Sequence, residues 1–138
     1  MISPLLDARR RAVPLIGAFR DVGAVPSLIA LLETKGAAEL AEDARVALRA
    51  ITLQDFGVRA KGWDKWWTKA KKKSRVDWLI DGLSSEDREL RTIAHVELAA
   101  IAGDDFGYRP DDPKRNRERA VAVFHTWWAE EQKRPKAS

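Results

Sequence analysis

The stretch "DFGVRAKGWDKWW" at residues 55–67 has a second, longer version in "DFGYRPDDPKRNRERAVAVFHTWW" at residues 105–128. Both begin with Asp-Phe-Gly and both end with Trp-Trp. The likeness extends upstream, where residues of the first copy recur 50 positions later; these are Ala44, Val46, Leu48, Ile51, Asp55, Phe56 and Gly57. The Trp pair recurs 61 positions later. A period near 50 residues is typical of a chain built from repeated helical units.

Two helices are predicted before Gly36, which breaks the chain. Ser3-Pro4 has the pattern of an N-cap followed by proline at the first helical position. The first helix should therefore run to about residue 20, with a kink at Pro14, where a backbone donor is missing. Pro26 lies in the first turn of the second helix.

A third helix is predicted over residues 38–53, and two shorter helices follow the first Asp-Phe-Gly. One apolar stripe contains Trp63, Trp66, Trp67 and Ala70, and another contains Val76, Leu79, Ile80 and Leu83. A continuous helix would turn by about 600° from Ala70 to Val76, which leaves the two stripes about 120° apart. The helix should therefore be interrupted between Lys71 and Arg75, giving separate fourth and fifth helices.

The last two predicted helices begin at residues that favour helix N-termini. The sequence "SSED" at residues 84–87 starts the sixth helix, which runs to about Ala102 and stops at Gly103. Asp112-Pro113 starts the seventh. The tail at residues 133–138 is predicted to be disordered.

Each Asp-Phe-Gly is interpreted as a structural loop. Asp55 and Asp105 can accept hydrogen bonds from backbone N–H groups of the turn, and the glycine two residues later permits a positive φ. The Phe rings are expected to fold back on the preceding helix. The Trp pairs share stripes with Trp63 or Phe124, so they are expected to lie in the core, and Trp78 as well.

The N-terminal stretch "RRAVPLIGAFRDVGAVPSLIALLE" at residues 10–33 resembles the HEAT-like repeats named after phycobilisome lyases. Those repeats have an Ala-Val, a Leu-x-Gly-like step, an Asp turn and an Ala-Val-Pro before an aliphatic helix. The matching residues here are Ala12-Val13, Leu15 to Gly17, Asp21, Ala24-Val25-Pro26 and Leu28 to Leu32. "RTIAHVELAAIAGDDFGY" at residues 91–108 is similar to a variant in bacterial HEAT-repeat proteins, in which a Gly-x-Asp-Phe-Gly-Tyr loop leads to a Trp-Trp helix.

This resemblance implies an all-α fold, a HEAT-like α-solenoid of about seven helices in two to three repeats. Residues 1–132 would then be a single repeat domain of a bacterial protein. Leu53 stands where the second copy has Gly103, so the first loop is expected to leave its helix differently.

Positive charge is concentrated in one segment of the chain. The formal net charge is +4, yet residues 61–75 hold seven Lys or Arg residues against the single acid Asp64. Local positive charge attracts nucleic acid, anionic lipid or an acidic protein surface. The candidate binding residues are those near the predicted helix junction: Lys69, Lys71, Lys72, Lys73 and Arg75.

The sequence predicts no catalytic residue, no cofactor and no metal site. Asp-Phe-Gly binds magnesium in protein kinases, but the glycine-rich and catalytic loops that accompany it there are missing here. His95 takes the place of Arg45 and His125 that of Asp64, so both histidines are expected at flank or surface positions. Asp104-Asp105 and Asp111-Asp112 are interpreted as turn and capping residues rather than cation ligands.

These patterns favour a non-enzymatic protein–protein interaction or scaffolding module with an unknown protein partner. The alternative is a nucleic-acid-binding HEAT-like protein that uses the basic segment 61–75, with Trp rings available for base stacking. A lyase or hydroxylase of the HEAT-like type would need cofactor or metal ligands, which the sequence does not offer. No apolar run approaches the roughly 20 residues of a membrane span, and a cytoplasmic location is expected.

Overall fold

A computed structural model describes residues 21–134, and all regular structure in this range is helical. The first predicted helix, with its kink at Pro14, and residues 135–138 of the predicted tail lie outside the described residues. One turn of 3-10 helix at Val22–Ala24 precedes six α-helices. They are α1 (Val25–Leu31), α2 (Ala38–Thr52), α3 (Ala60–Ala70), α4 (Arg75–Gly82), α5 (Arg88–Ala102) and α6 (Lys114–Lys133). The all-helical prediction is confirmed, and these helices match the second to seventh of the predicted set.

None of the helices between residues 21 and 134 is long and apolar enough to cross a membrane.

The interruption predicted between the two apolar stripes is confirmed, because α3 ends at Ala70 and α4 begins at Arg75. The turn between them is held by backbone bonds from Lys71 to the Trp67 carbonyl and from Lys73 to the Ala70 carbonyl.

The chain divides into two compact units between Arg75 and Val76. In the first unit, α1 and α2 are followed by an Asp-Phe-Gly loop and α3. In the second unit the same order recurs as α4, α5, a second Asp-Phe-Gly loop and α6. The apolar pairs at residues 28–29 and 79–80 are buried in their respective units. The repeated order of elements predicted from the sequence is therefore confirmed within the described range.

The core of the first unit forms where α1 packs against α2 and α3. The predicted stripe on α2 is fully buried: Leu40, Ala44, Leu48 and Ile51. Thr52 is a buried polar residue in this unit. Its hydroxyl donates to the Leu48 carbonyl at 2.7 Å and accepts from the Gln54 N–H at 3.1 Å. Burial of this hydroxyl therefore leaves no polar group unsatisfied.

The second unit is built around a buried tyrosine that follows its Asp-Phe-Gly. Tyr108 is fully buried, and its hydroxyl donates to the Leu83 carbonyl at 2.6 Å. Burial raises the pKa of this phenol, while the nearby Arg117 and Arg91 act in the opposite direction. Val58 occupies the same position in the first unit and is exposed. The hydrogen bond of Tyr108 thus connects the second loop to the end of α4. The first unit has no such bond at this position, because Val58 has no hydroxyl group.

The two Asp-Phe-Gly loops leave their helices in the same way, so the expected difference at Leu53 is wrong. Leu53 follows α2 with φ 58° and ψ 26°, and Gly103 follows α5 with φ 76° and ψ 11°. The N–H of each donates to the carbonyl four residues back, on Arg49 and Ala99. Left-handed backbone costs a leucine about 1–2 kcal/mol. Full burial of the Leu53 side chain offsets that cost.

Two helix starts differ from the sequence prediction. Asp87 is the N-cap of α5, and its Oδ1 accepts from the N–H groups of Glu89 and Leu90. The two serines of "SSED" therefore precede the helix rather than opening it, because the carboxylate satisfies the first free N–H groups. The helix expected near Trp63 begins three residues earlier, at Ala60.

The tryptophans divide into two groups that the sequence did not separate. Trp63 and Trp78 are almost completely buried, which confirms the core prediction for Trp78. The four members of the Trp-Trp pairs are only half-buried: Trp66, Trp67, Trp127 and Trp128. Adjacent residues on a helix point about 100° apart, so a Trp-Trp pair straddles the centre of an apolar stripe instead of occupying it. The expectation that both rings of each pair lie in the core is therefore wrong.

This difference predicts unequal stability losses on truncation. Trp63→Ala should lower the free energy of unfolding by about 3–5 kcal/mol, because it leaves a cavity among packed helices. Trp67→Ala should cost clearly less, because part of that ring already contacts water. Urea denaturation followed by circular dichroism measures both. Equal losses in the two variants would contradict the assignment of Trp63 as the centre of the α3 stripe.

Candidate functional site

The first Asp-Phe-Gly loop is organised by its aspartate. Asp55 accepts from Arg45 through both carboxylate oxygens, at 3.0 and 2.7 Å, and from Arg49 at 2.6 Å. Its Oδ1 also accepts the Gly57 N–H at 2.8 Å. Both oxygens therefore accept hydrogen bonds from residues of the same loop and of α2. This carboxylate has a structural role.

The charge of Asp55 is stabilised by these contacts. Burial alone would raise the pKa of the carboxyl, but hydrogen bonds from Arg45, the Gly57 N–H and Arg49 outweigh that effect. The pKa of Asp55 falls to about 2 as a result. The same contacts raise the pKa of the Arg45 guanidinium. The ion pair is thus fully charged at neutral pH.

The second loop uses weaker partners for the same turn. Asp105 accepts the Gly107 N–H at 2.9 Å, and Asp104 accepts the Phe106 N–H at 2.8 Å. His95 replaces the arginine of the first copy, and its Nε2 lies 3.9 Å from Asp105, too far for a hydrogen bond. The turn roles expected for both aspartates are confirmed.

Asp111 of the same loop and the second histidine, His125, lie at the surface. Asp111 forms an exposed ion pair with Arg88, which lowers the pKa of Asp111 and raises that of Arg88. His125 is exposed, as expected. Within residues 21–134, no group of three His, Asp or Glu side chains could hold a metal ion.

The Phe rings of the two loops pair with aromatic rings on the helix that follows each loop. Phe56 meets Trp63 edge-on with ring centroids 5.0 Å apart, and Phe106 meets Phe124 in the same way at 4.9 Å. Both partners lie on the helix that follows the loop. The sequence predicts that these rings fold onto the preceding helix, whereas their aromatic partners lie on the following helix, α3 or α6.

One consequence of this packing is a shallow apolar pocket on the first unit. It has a volume of about 440 Å³ and is lined by Phe56, Gly62, Lys65, Trp66 and Lys69. The side chain of Phe56 remains 40% exposed. A Cβ atom at Gly62 would lie 3.1 Å from the Cβ of Phe56. Glycine in the first turn of α3 thus leaves room for the loop to approach the helix.

Two lysines, Lys65 and Lys69, line this pocket and belong to a larger set of exposed lysines. Six exposed lysines lie on α3 or in the turn after it: Lys61, Lys65, Lys69, Lys71, Lys72 and Lys73. Within residues 21–134, none of the six takes part in an ion pair. The first three follow each other at four-residue steps and therefore share one side of α3.

Arg75, the fifth predicted binding residue, has different surroundings from the lysines. It is half-buried, and its guanidinium donates to the carbonyls of Ile51 at 2.9 Å and Ala50 at 3.2 Å. A cation at the last carbonyls of a helix is favourable because those groups carry partial negative charge. Arg75 therefore supports the end of α2, whereas the four predicted lysines face solvent.

A second pocket of the first unit has no cation among its lining residues. It lies between the end of α1 and the start of α2, and Glu42 and Val58 are among its lining residues. Glu42 is already bonded to Arg45 at 2.7 Å. The Phe56 pocket, by contrast, has two cations without an ion-pair partner in the described part of the chain.

The sequence pointed to the basic segment but not to the pocket. Lys69 is both a predicted binding residue and a pocket residue, whereas Phe56, Gly62, Lys65 and Trp66 were not predicted as site residues. The available signals were a glycine within a helix and lysines directly beside a tryptophan on α3. Neither signal shows that Phe56 of the preceding loop contacts the aromatic residues of α3. That contact forms the pocket.

The chain matches no known protein family, and neither a curated protein nor a solved structure matches it. The chemistry of the pocket and of its lysines is therefore the basis for a functional proposal.

The Asp55 ion pair predicts a specific acid sensitivity. The folded pKa of about 2 lies below the ordinary value of 3.8, so the stabilisation is complete above about pH 5 and is lost as the pH falls toward 2. The difference between the folded and the ordinary pKa of Asp55 corresponds to about 2 kcal/mol in the free energy of unfolding. Urea titrations between pH 7 and pH 2 should show that Asp55→Asn removes this part of the pH dependence.

The matched control is Asp105→Asn, the same change at the same motif position in the second unit. It should alter the pH dependence less, because Asp105 is not hydrogen-bonded to arginine as Asp55 is. If both variants flatten the pH profile equally, the arginine contacts of Asp55 do not set its pKa.

Proposed function

We propose that this protein is a non-enzymatic protein–protein interaction or scaffolding module of the HEAT-like type, an α-solenoid of two to three repeats. The observation that carries this proposal is the apolar pocket at Phe56, bordered by lysines that have no acidic partner within residues 21–134. The bacterial origin and cytoplasmic location expected from the sequence belong to the same proposal.

The distribution of polar groups supports a binding role. The aspartates of both Asp-Phe-Gly motifs accept hydrogen bonds from their own turns, and Arg75 supports the end of α2. Solvent instead meets Phe56 and the neighbouring lysines. An exposed apolar surface beside unpaired charge is the usual chemistry of a site that associates with another macromolecule.

Site-specific crosslinking tests this proposal. A photoreactive amino acid at position 65 should crosslink to a discrete set of proteins in cells of the source organism. The matched control carries the same amino acid at Glu118, an exposed position on α6. We expect protein crosslinks from position 65 that are absent from position 118. Crosslinks to nucleic acid alone, or identical protein patterns from both positions, would contradict a protein-binding role for this surface.

Nucleic-acid binding is the second candidate, and the six exposed lysines favour it. Lysine attracts phosphate groups without regard to base sequence, and the attraction weakens with salt because counterions are released. The half-buried Trp66 beside Lys65 and Lys69 adds aromatic surface to this charge. Such a combination is found in proteins that bind single-stranded nucleic acid.

A salt titration of DNA binding tests the second candidate. Contacts with about four phosphates predict a log–log slope of about −3 to −4 on duplex DNA. Replacing Lys71, Lys72 and Lys73 by Ala should flatten that slope by up to about 3 without lowering the melting temperature, because all three side chains are exposed. Fluorescence anisotropy with labelled DNA measures the slope. No binding at low salt, or binding unchanged by the triple replacement, would exclude this role for the turn.

A further inference from the structure

We propose that the Phe56 pocket holds one apolar side chain of an acidic protein segment, whose carboxylates pair with Lys65 and Lys69. This inference rests on the proposed protein-binding function and specifies its partner class. Five residues form the site, and all of them lie on the first Asp-Phe-Gly loop or on α3.

The shape and lining of the pocket fit a single hydrophobic anchor. Its volume of about 440 Å³ is at the small end of the range for ligand pockets. Two of its lining residues are aromatic, Phe56 and Trp66, and their ring centroids are 6.3 Å apart. The absent side chain at Gly62 lets Phe56 lie close against α3. A leucine or phenylalanine from a partner would remove the exposed face of Phe56 from water.

The charges beside the pocket specify acidic neighbours for that anchor. Lys65 and Lys69 border the pocket and are separated by four residues of helix, which is about 6 Å along the axis. Lys61 lies the same distance toward the start of α3. Carboxylates at successive turns of a helix, or at alternate residues of an extended chain, have a similar spacing. An acidic segment can therefore place one carboxylate opposite each lysine while its apolar residue enters the pocket.

A protein segment suits this pocket better than a nucleic-acid base. Base stacking needs an open aromatic face. Trp66 is half-buried and has Phe56, Trp63 and Trp67 as ring neighbours, with centroids 6.3, 6.2 and 6.1 Å away. Three ring neighbours leave less open aromatic face at Trp66 for a stacked base, whereas an aliphatic side chain needs only the apolar pocket itself.

Binding of designed peptides to the full chain tests this inference. The probe is a fluorescein-labelled peptide with one central leucine and four glutamates on each side, and its control has serine in place of leucine. Fluorescence anisotropy measures both affinities in low salt. We expect the leucine peptide to bind at least about tenfold more tightly. In a two-dimensional NMR spectrum, it should shift the indole N–H resonance of Trp66 more than that of Trp127.

Three variants locate the binding. Lys65→Glu with Lys69→Glu should weaken the leucine peptide by at least about tenfold, whereas the matched pair Lys114→Glu with Arg115→Glu on α6 should change it less than about twofold. Gly62→Ala should reduce the preference for leucine over serine, because the added Cβ displaces Phe56. Circular dichroism confirms that each variant remains folded.

Two results would overturn the inference while leaving a protein-binding function in place. One is equal affinity for the leucine and serine peptides, and the other is equal weakening by the two charge reversals. If neither peptide binds, the inference is overturned as well, and crosslinking from position 65 then decides the broader proposal. If a thymidine oligonucleotide displaces the peptide and depends on Lys65, Lys69 and Gly62 in the same way, both proposals are wrong and the pocket belongs to a nucleic-acid site.

Discussion

The carboxylate of Asp55 is the contact on which the first unit depends. Two arginines of α2 hold its oxygens, and the same group accepts the Gly57 N–H. These bonds fix the direction in which the chain leaves α2. Because Phe56 lies between the carboxylate and the glycine, its ring is directed at α3, where it meets Trp63. The carbonyl of Gly57 then accepts the indole N–H of Trp63 at 2.9 Å, which binds the loop to the helix it precedes.

The second unit reaches the same loop shape with a different set of contacts. Its aspartate binds the turn but faces His95 instead of an arginine pair, so less charge holds the loop against α5. The buried hydroxyl of Tyr108 supplies a replacement through its bond to Leu83, and Arg91 adds one to the carbonyl of Pro110 at 3.0 Å. The two copies therefore have the same backbone geometry but different stabilising interactions. An ion pair stabilises the loop of the first unit, and a buried hydrogen bond stabilises that of the second.

Sequence patterns predicted the order of helices well and the candidate site poorly. The helix break after Ala70 follows from the angle between two apolar stripes, and the stripe on α2 follows from its spacing, since both depend on local periodicity alone. The left-handed conformation of Leu53 was missed because a leucine carries no local signal for it. The pocket was missed for a similar reason, because it depends on a contact between Phe56 and α3. The repeated motif indicates that the Phe ring packs on a helix in both copies, but it does not show which helix.

Arg75 and the lysines that precede it have different functions in the structure. Arg75 contributes to the stability of the fold, and the lysines contribute charge to the surface. The arginine supports the end of α2, while the six lysines on α3 and in the turn after it are exposed and have no ion-pair partner within residues 21–134. Acylation of lysine removes its charge and does not modify arginine. Complete acylation of the six lysines would reverse the sign of the formal net charge of +4 and leave the contacts of Arg75 in place. The electrostatic character of this surface can therefore be changed chemically without altering the framework beneath it.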